Sequence, residues 1–376
     1  MSSPPPPDIG FNGHNGERVI SRILLGLVAL LWSAGLRADV LQNNYSHAYG
    51  DIVADARAEQ QLIVYNTVHA DPAVKDILAD FHRRYPFISV KDTDDSAALT
   101  YKRFLDEIAA GRPSADFIWS SAMQEKLIND GYAQPYSSPE MPFLPSWAHW
   151  QDLGYGVTLE PVAFVYNSRF LTDREMPMTH AGLREMLRSQ ARKFNGRVAL
   201  YDPEKSEVGM LFLSQDIRVT RDAWNLFDTF GALDARTYST SRDILLNLIA
   251  GNQWIAYDVI ASYAVEMKKT HPELVIVYPS DYVLTMSRVG FITATAKHPN
   301  AAKLFLDFLL SRDGQTNLRN HGMGSVRADI GVPRGQARLD AIRTQAIRIG
   351  PGLLSDLDSL VRAQFLRRWQ QTRSPA

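Results

Sequence analysis

Leu62-Ile-Val-Tyr-Asn-Thr-Val-His-Ala-Asp-Pro-Ala73, followed on to Lys91, reads as strand, helix, strand. Leu62–Asn66 is a short apolar run of the length and composition of a buried strand. Asp71-Pro72 supplies an N-cap and a proline at the first helical position, where the missing N–H costs nothing. Val74, Ile77, Leu78 and Phe81 then recur at helical spacing and form one apolar stripe, and Pro86 stops the helix. Phe87–Lys91 is expected as the second strand. The alternation continues with a helix over Ser96–Ala110 closed by Gly111, a strand over Ala115–Trp119, and a helix over Ala122–Asp130 closed by Gly131. Strands joined through helices imply an α/β fold with a parallel sheet. Ligands of such sheets sit beyond the carboxyl ends of the strands. Those ends are Asn66-Thr-Val-His-Ala70, Thr93-Asp-Asp-Ser96 and Ser120-Ser121.

Upstream, a helical lead-in spans Tyr45–Gln60. Before it, Arg18 and Arg22 precede an uncharged run from Ile23 to Leu36 that ends in Arg37-Ala38-Asp39-Val40, the architecture of a signal peptide. The run is shorter than the ~20 residues of a membrane-spanning helix. Residues 1–38 are therefore set aside as a leader, which implies an exported protein, soluble after cleavage, with an uncleaved anchor as the plain reading. Downstream, the proline- and aromatic-rich segment Gln134–Pro161 leads into the strand Val162–Asn167, a first crossover to a second lobe. That lobe continues with a helix at Ala181–Gln190, a strand at Gly196–Tyr201, helices at Val208–Asp216, Arg221–Gly231 and Ser241–Ala250, and strands at Trp254–Val259 and Leu274–Tyr278. The expected division is lobe one over 39–160 plus 286–330, lobe two over 161–285, and a helical tail over 331–376 packed on lobe two.

The return to lobe one closes with Val289–Thr295, a strand, and Ala296–Gln315. There Ala301, Leu304, Phe305, Phe308 and Leu309 share one helix face, Asn300 is the natural N-cap, and Ser311 or Gly314 breaks the helix.

Composition narrows the function. The 376 residues are 45% hydrophobic and 22% charged, with 40 basic against 41 acidic side chains, so there is no basic footprint for nucleic acid. The absence of cysteine excludes disulfides, thiol catalysis and zinc–thiolate sites, and removes the residue a lipid anchor would modify. No Gly-x-Ser-x-Gly elbow, His-Glu-x-x-His or phosphate loop is present, and Gly154-Tyr-Gly156 and Gly322-Met-Gly324 lack the third glycine of a dinucleotide fingerprint. Neither an enzyme nor a cofactor is expected.

Four blocks, "LIVYNTVHADPA" (62–73), "SADFIWSSAMQEKLINDGYAQPY" (114–136), "FNGRVALYDPEKSEVGMLFLS" (194–214) and the closing segment, resemble in order and wording the bacterial extracellular solute-binding proteins, in their iron(III), phosphonate and sugar-phosphate branch. The resemblance implies a type II periplasmic binding protein fold of two α/β lobes closing on a ligand in the cleft, with the membrane permease of an ABC importer as partner, and a monomer. Iron-binding members use adjacent tyrosines, a histidine and a carboxylate, oxygen-rich sets that suit a hard cation. Here His69 matches the histidine, Ser121 falls at the carboxylate, Ala261-Ser262 at the tyrosines, and Tyr263 stands alone.

The replacements suggest an anion. Thr67, Ser120, Ser121, Ser206 and Ser262 offer hydroxyls, and Ser96 and Ser241 stand at expected helix N-termini, which attract anions. Arg288 supplies charge for a phosphate, with Lys205 and Arg242 as reserves. Asp258 would accept protons from the rest of the ligand, shielded by Tyr257 or Trp119. A small phosphorylated or phosphonate solute follows. The plain readings stand beside these: serines that only cap helices, His69 as a loop residue, Trp119 and Tyr257 as core, Arg288 paired with Asp281, and Lys205 in a solvated turn. Three other roles stay open: ferric iron binding, an accessory protein that presents a phosphorylated metabolite to a membrane histidine kinase, and a phosphoester hydrolase using His69 or Asp258.

Overall fold

The structure is a computed structural model and describes Met1 and residues 47–68, 72–121, 124–330 and 344–373. Its contacts divide the chain into a unit ending at Asp51 and a second, Ile52–Ala376, which carries both sheets. Apart from Met1, the expected leader lies outside the described residues.

Helix α1 (His47–Glu59) leads into β1 (Gln61–Asn66), α2 (Pro72–Arg84), β2 (Ser89–Asp94), α3 (Ala97–Ala109), β3 (Phe117–Ser120) and the short α4 (Glu125–Asn129). Two more strands, β4 (His149–Trp150) and β5 (Gly154–Gly156), precede β6 (Glu160–Asn167). The chain then runs through α5 (His180–Ser189), α6 (Ala191–Phe194), β7 (Val198–Tyr201), α7 (Glu207–Val219), α8 (Ala223–Ala232), β8 (Arg236–Tyr238), α9 (Ser241–Ile249), β9 (Ile255–Ile260), α10 (Ala261–Lys268), β10 (Leu274–Val277) and β11 (Val283–Met286). It ends with β12 (Val289–Ile292), α11 (Pro299–Leu310), α12 (Arg312–Asn320), β13 (Thr344–Ala346), α13 (Pro351–Leu357) and α14 (Ser359–Arg373).

Among the described residues the strands form two sheets. One is six-stranded in the order β2-β1-β3-β12-β5-β4; the other is seven-stranded, β13-β11-β6-β9-β7-β8, with β10 on β6. Expected parallel pairing holds for β2-β1-β3. It stops at β12, which returns from the second lobe and runs antiparallel to β3. The second strand starts at Ser89, two residues later than its apolar run suggested, because Phe87 sits in a turn under the Arg57 guanidinium at 4.1 Å.

Packing explains the closing segment. Phe305 projects from α11 edge-on to Phe81 of α2 and Phe117 of β3, with centroids 5.1 and 5.2 Å away, so the predicted helix face fills the core of the first lobe. Asn300 is not the cap. Pro299 opens the helix, and the free N–H groups of Asn300 and Ala301 donate to the Glu59 carboxylate at 3.1 and 2.7 Å. A carboxylate from another helix thus meets the orphan donors and the positive end of the dipole. Ser311 is the break: its Oγ accepts the Gly314 N–H at 3.2 Å and starts α12. A Cβ on Gly314 would lie 2.1 Å from the Phe308 carbonyl, so only glycine permits this junction.

The second lobe has apolar clusters associated with β6, β7 and β9, one built around Phe164, Phe194, Phe227 and Phe230, the other around Phe212, Ile244, Leu248 and Val259. The tail engages more than one of these cores. Ile347 and Leu353 join the second cluster, Ile349 packs with Tyr65, Phe104 and Ile118 of the first lobe, and Phe365 and Trp369 of α14 pack with Phe227 beside α8.

Candidate functional site at the lobe crossovers

Two segments connect the sheets side by side. Residues 157–159 join β5 to β6, and Ser287-Arg288 joins β11 to β12. They are laced together: the Val157 N–H donates to the Arg288 carbonyl at 2.9 Å, the Arg288 N–H to Thr158 Oγ1 at 2.9 Å, and the Thr158 N–H to Ser287 Oγ at 3.2 Å. Each segment is too short to pair as a regular strand, so side-chain hydroxyls take the backbone donors that a ladder would otherwise satisfy.

Arg288 stands at the centre. Its Nε donates to Glu160 Oε1 at 2.9 Å, one terminal nitrogen to the Thr67 carbonyl at 3.1 Å, and the other to the Tyr263 hydroxyl at 3.3 Å and Glu160 Oε2 at 3.4 Å. Arg288 is 5% exposed and Glu160 0%. Burial alone would disfavour the charged guanidinium, but Glu160 and Tyr263 outweigh it and hold the Arg288 pKa above its ordinary value. The guanidinium therefore ties the end of β1 to β6 and to α10.

Hydroxyls extend this network. Ser120 donates to Thr67 Oγ1 at 3.1 Å and accepts from the Gln124 amide at 3.1 Å. Ser262 donates to Glu160 Oε2 at 3.4 Å, and Thr158 to Glu160 Oε1 at 2.9 Å. Thr67, Ser120, Ser262 and Arg288 are thus brought together, while Ser121 stays half-buried next to Ser120 at the end of β3. His69 lies outside the described residues. Glu160, Thr158 and Ser287 were not singled out from sequence. A cue existed for one of them, since Glu160 is the single charge in the otherwise apolar strand Glu-Pro-Val-Ala-Phe-Val-Tyr.

The remaining candidates serve structure first. Ser96 and Ser206 are N-caps, accepting the N–H groups of Leu99 at 3.3 Å and Gly209 at 3.2 Å, which leaves each hydroxyl proton available. Ser241 is not a cap; Thr240 caps α9, and Ser241 is bonded to the buried Tyr201 hydroxyl. Asp258 departs from the reading of an open ligand acceptor. It is 3% exposed, and burial and the neighbouring Asp216 push its carboxyl well above the ordinary range. Trp119 and Tyr257 are fully buried core. Lys205 is exposed beside Asp202 at 3.7 Å, and Asp281 pairs with His180, leaving Arg288 to Glu160.

Residues 62–324 match the family model of the bacterial extracellular solute-binding proteins. The chain belongs to this family. The solved substrate-binding protein of an ABC transporter from Agrobacterium tumefaciens is 32% identical, with 84% of this chain and 94% of that one covered and a TM-score of 0.75. Two more distant structures share the fold. The ferric binding protein from Campylobacter jejuni is 18% identical, covers 83% of this chain and 99% of its own, and scores 0.65. The periplasmic binding protein AfuA from Actinobacillus pleuropneumoniae, with fructose-6-phosphate bound, is 17% identical over 84% and 99% and scores 0.66. No curated protein sequence matches the chain.

The chain therefore has the type II two-lobed fold of a periplasmic solute-binding component of an ABC transporter, a class that delivers ligand to a membrane permease. Among the described residues no helix is long and apolar enough to cross a membrane.

Proposed function

We propose that this solute-binding protein captures a small phosphorylated or phosphonate anion and passes it to the permease of an ABC importer, acting as a soluble periplasmic monomer after its leader is removed. The supporting observation is the hydroxyl-lined network in which Arg288 links Thr67 of the first lobe to Tyr263 of the second. Fold likeness does not choose the ligand, since neighbours with ferric iron and with a sugar phosphate share the architecture equally.

The side chains favour an anion. Glu160 already compensates Arg288, so the positions aligned with iron ligands have no surplus carboxylates to offer a trivalent cation; they are Ser121, Ala261 and Ser262. Tyr263, the remaining phenol, is bonded to a guanidinium nitrogen. An anion would be met by the hydroxyl protons of Thr67 and Ser121 and by backbone N–H groups opening α3, α7 and α10, with Ser96 and Ser206 at two of those ends, while Ser120 and Ser262, which donate to Thr67 and Glu160, would have to turn toward it. Micromolar binding needs about −8 kcal/mol, and hydrogen bonds to a charged group contribute roughly 1.5–3 kcal/mol each, so several of these donors must act together.

Thermal-shift measurements with sugar phosphates, phosphoglycerates, phosphonates, inorganic phosphate and ferric ion test the reading. One phosphorylated or phosphonate solute should raise the melting temperature, with about 2.7 kcal/mol of stabilisation at one hundred times its dissociation constant. A shift with ferric ion and none with any of the anions would overturn it.

A further inference from the structure

A second polar cluster lies inside the second lobe and shares no residue with the crossover network. His180, at the start of α5, Asp216 in the last turns of α7 and Asp258 in β9 each place a ligand-type atom within 4.8 Å of the other two, and all three side chains are buried. Two carboxylates in an apolar core demand compensation, because an unpaired buried charge is expensive. Among the described residues no lysine or arginine is bonded to either. Asp216 accepts the Tyr257 hydroxyl at 2.7 Å and the Tyr282 hydroxyl at 2.8 Å. Asp258 faces Asp216 through a side-chain hydrogen bond, and its Oδ2, on a residue 3% exposed, is buried without an N–H or O–H donor.

His180 distinguishes this cluster from a simple pair of acids. Its ring lies parallel to Tyr282, with centroids 4.0 Å apart, and edge-on to Tyr257, which fixes its plane. Nδ1 faces Asp281 Oδ1 at 3.0 Å, while the His180 N–H donates to Asp281 Oδ2 at 3.0 Å. A carboxylate that takes the proton of one ring nitrogen leaves the lone pair of the other for a metal, and this outer carboxylate is the usual companion of a ligating histidine. The donor set of one imidazole and two carboxylates balances a divalent ion in charge and suits Zn²⁺ in chemistry.

We propose that His180, Asp216 and Asp258 form a buried three-ligand site for one divalent cation, Zn²⁺ by its donor set, with a water completing the tetrahedron and Asp281 orienting His180. Tetrahedral bonds of about 2.0–2.1 Å put ligand atoms about 3.4 Å apart, inside the 4.8 Å within which the three atoms lie. The ion enters during folding, because all three ligands are enclosed.

The full chain would be unfolded in chelator and refolded with or without ZnCl₂, then assayed by elemental analysis and thermal melting after desalting. The expected result is about one zinc per chain and a melting temperature higher by about 4 °C or more than that of the metal-free protein. Asp258→Asn and His180→Gln should retain no zinc. Co²⁺ in place of zinc should give a tetrahedral d–d absorption in the wild type that the variants lack. Wild-type protein that refolds without zinc uptake or stabilisation, with Asp258→Asn at least as stable as the parent, would overturn the site and show that Asp216 and Asp258 merely share a proton. Zinc uptake that survives both substitutions would overturn it as well.

Discussion

Arg288 shows how far a single residue can be read. Its type marked it as an anion ligand, yet its environment makes it half of a buried ion pair whose charge is already spent on Glu160. Glu160→Gln should cost about 3–5 kcal/mol in urea unfolding, since it leaves the guanidinium buried and unpaired. The double variant Glu160→Leu/Arg288→Met should recover most of that loss, which a cycle of the two single variants would check.

Glu125 makes a second residue-scale prediction. It is fully buried in α4, accepts the Gly350 N–H at 3.0 Å, and leaves Oε1 without a partner. Burial pushes its pKa from 4.5 up to about 8, only partly offset by that bond. The folded chain thus keeps a proton that the unfolded chain loses near pH 4.5, so this group's contribution is complete below that pH and fades as pH rises through about 8. Glu125→Gln should be more stable than the parent at pH 8.5 by about 1–3 kcal/mol, allowing 1.36 kcal/mol per pKa unit and some relaxation. The gain should vanish at pH 5 in parallel denaturant titrations.

At the scale of elements, periodicity found the long helices because their apolar stripes face one core. Amphipathic order located α2, α3, α7 and α9 to within a few residues, whereas β8, β11 and α10 escaped. Those three carry no signal of their own: β8 is a three-residue edge strand, β11 is held between β6 and β13, and α10 starts directly on the last residue of β9. The contact of α14 with α8 is tight enough to test. A Cβ on Gly231 would stand 1.8 Å from the Thr372 carbonyl, so Gly231→Ala should lift the end of α14 at a cost of about 1–3 kcal/mol. Faster hydrogen exchange confined to α14 and α8 would be the signature, and unchanged exchange there would argue against the close approach.

Over the whole molecule the tail emerges as a third connection between the lobes. β13 extends the second sheet, Ile349 enters the first core, and α14 returns to the second. Ending the chain after residue 357 should therefore weaken protection in the second lobe only. Ending it before Thr344 should lower protection in both, with the amides around Glu125 and Ile118 responding together with those of β11.

The sequence by itself determined what depends on local chemistry: the strand and helix alternation, the apolar stripes, the cap at Ser96, and the family written in four ordered blocks. Only the tertiary structure decided which polar groups meet. Thr67, Arg288 and Tyr263 are far apart in the chain and share no periodic pattern, and the partner that satisfies a buried charge is set by which strands cross beside one another. For the same reason Asp258 read as a ligand acceptor in one dimension and became, in three, a buried neighbour of Asp216.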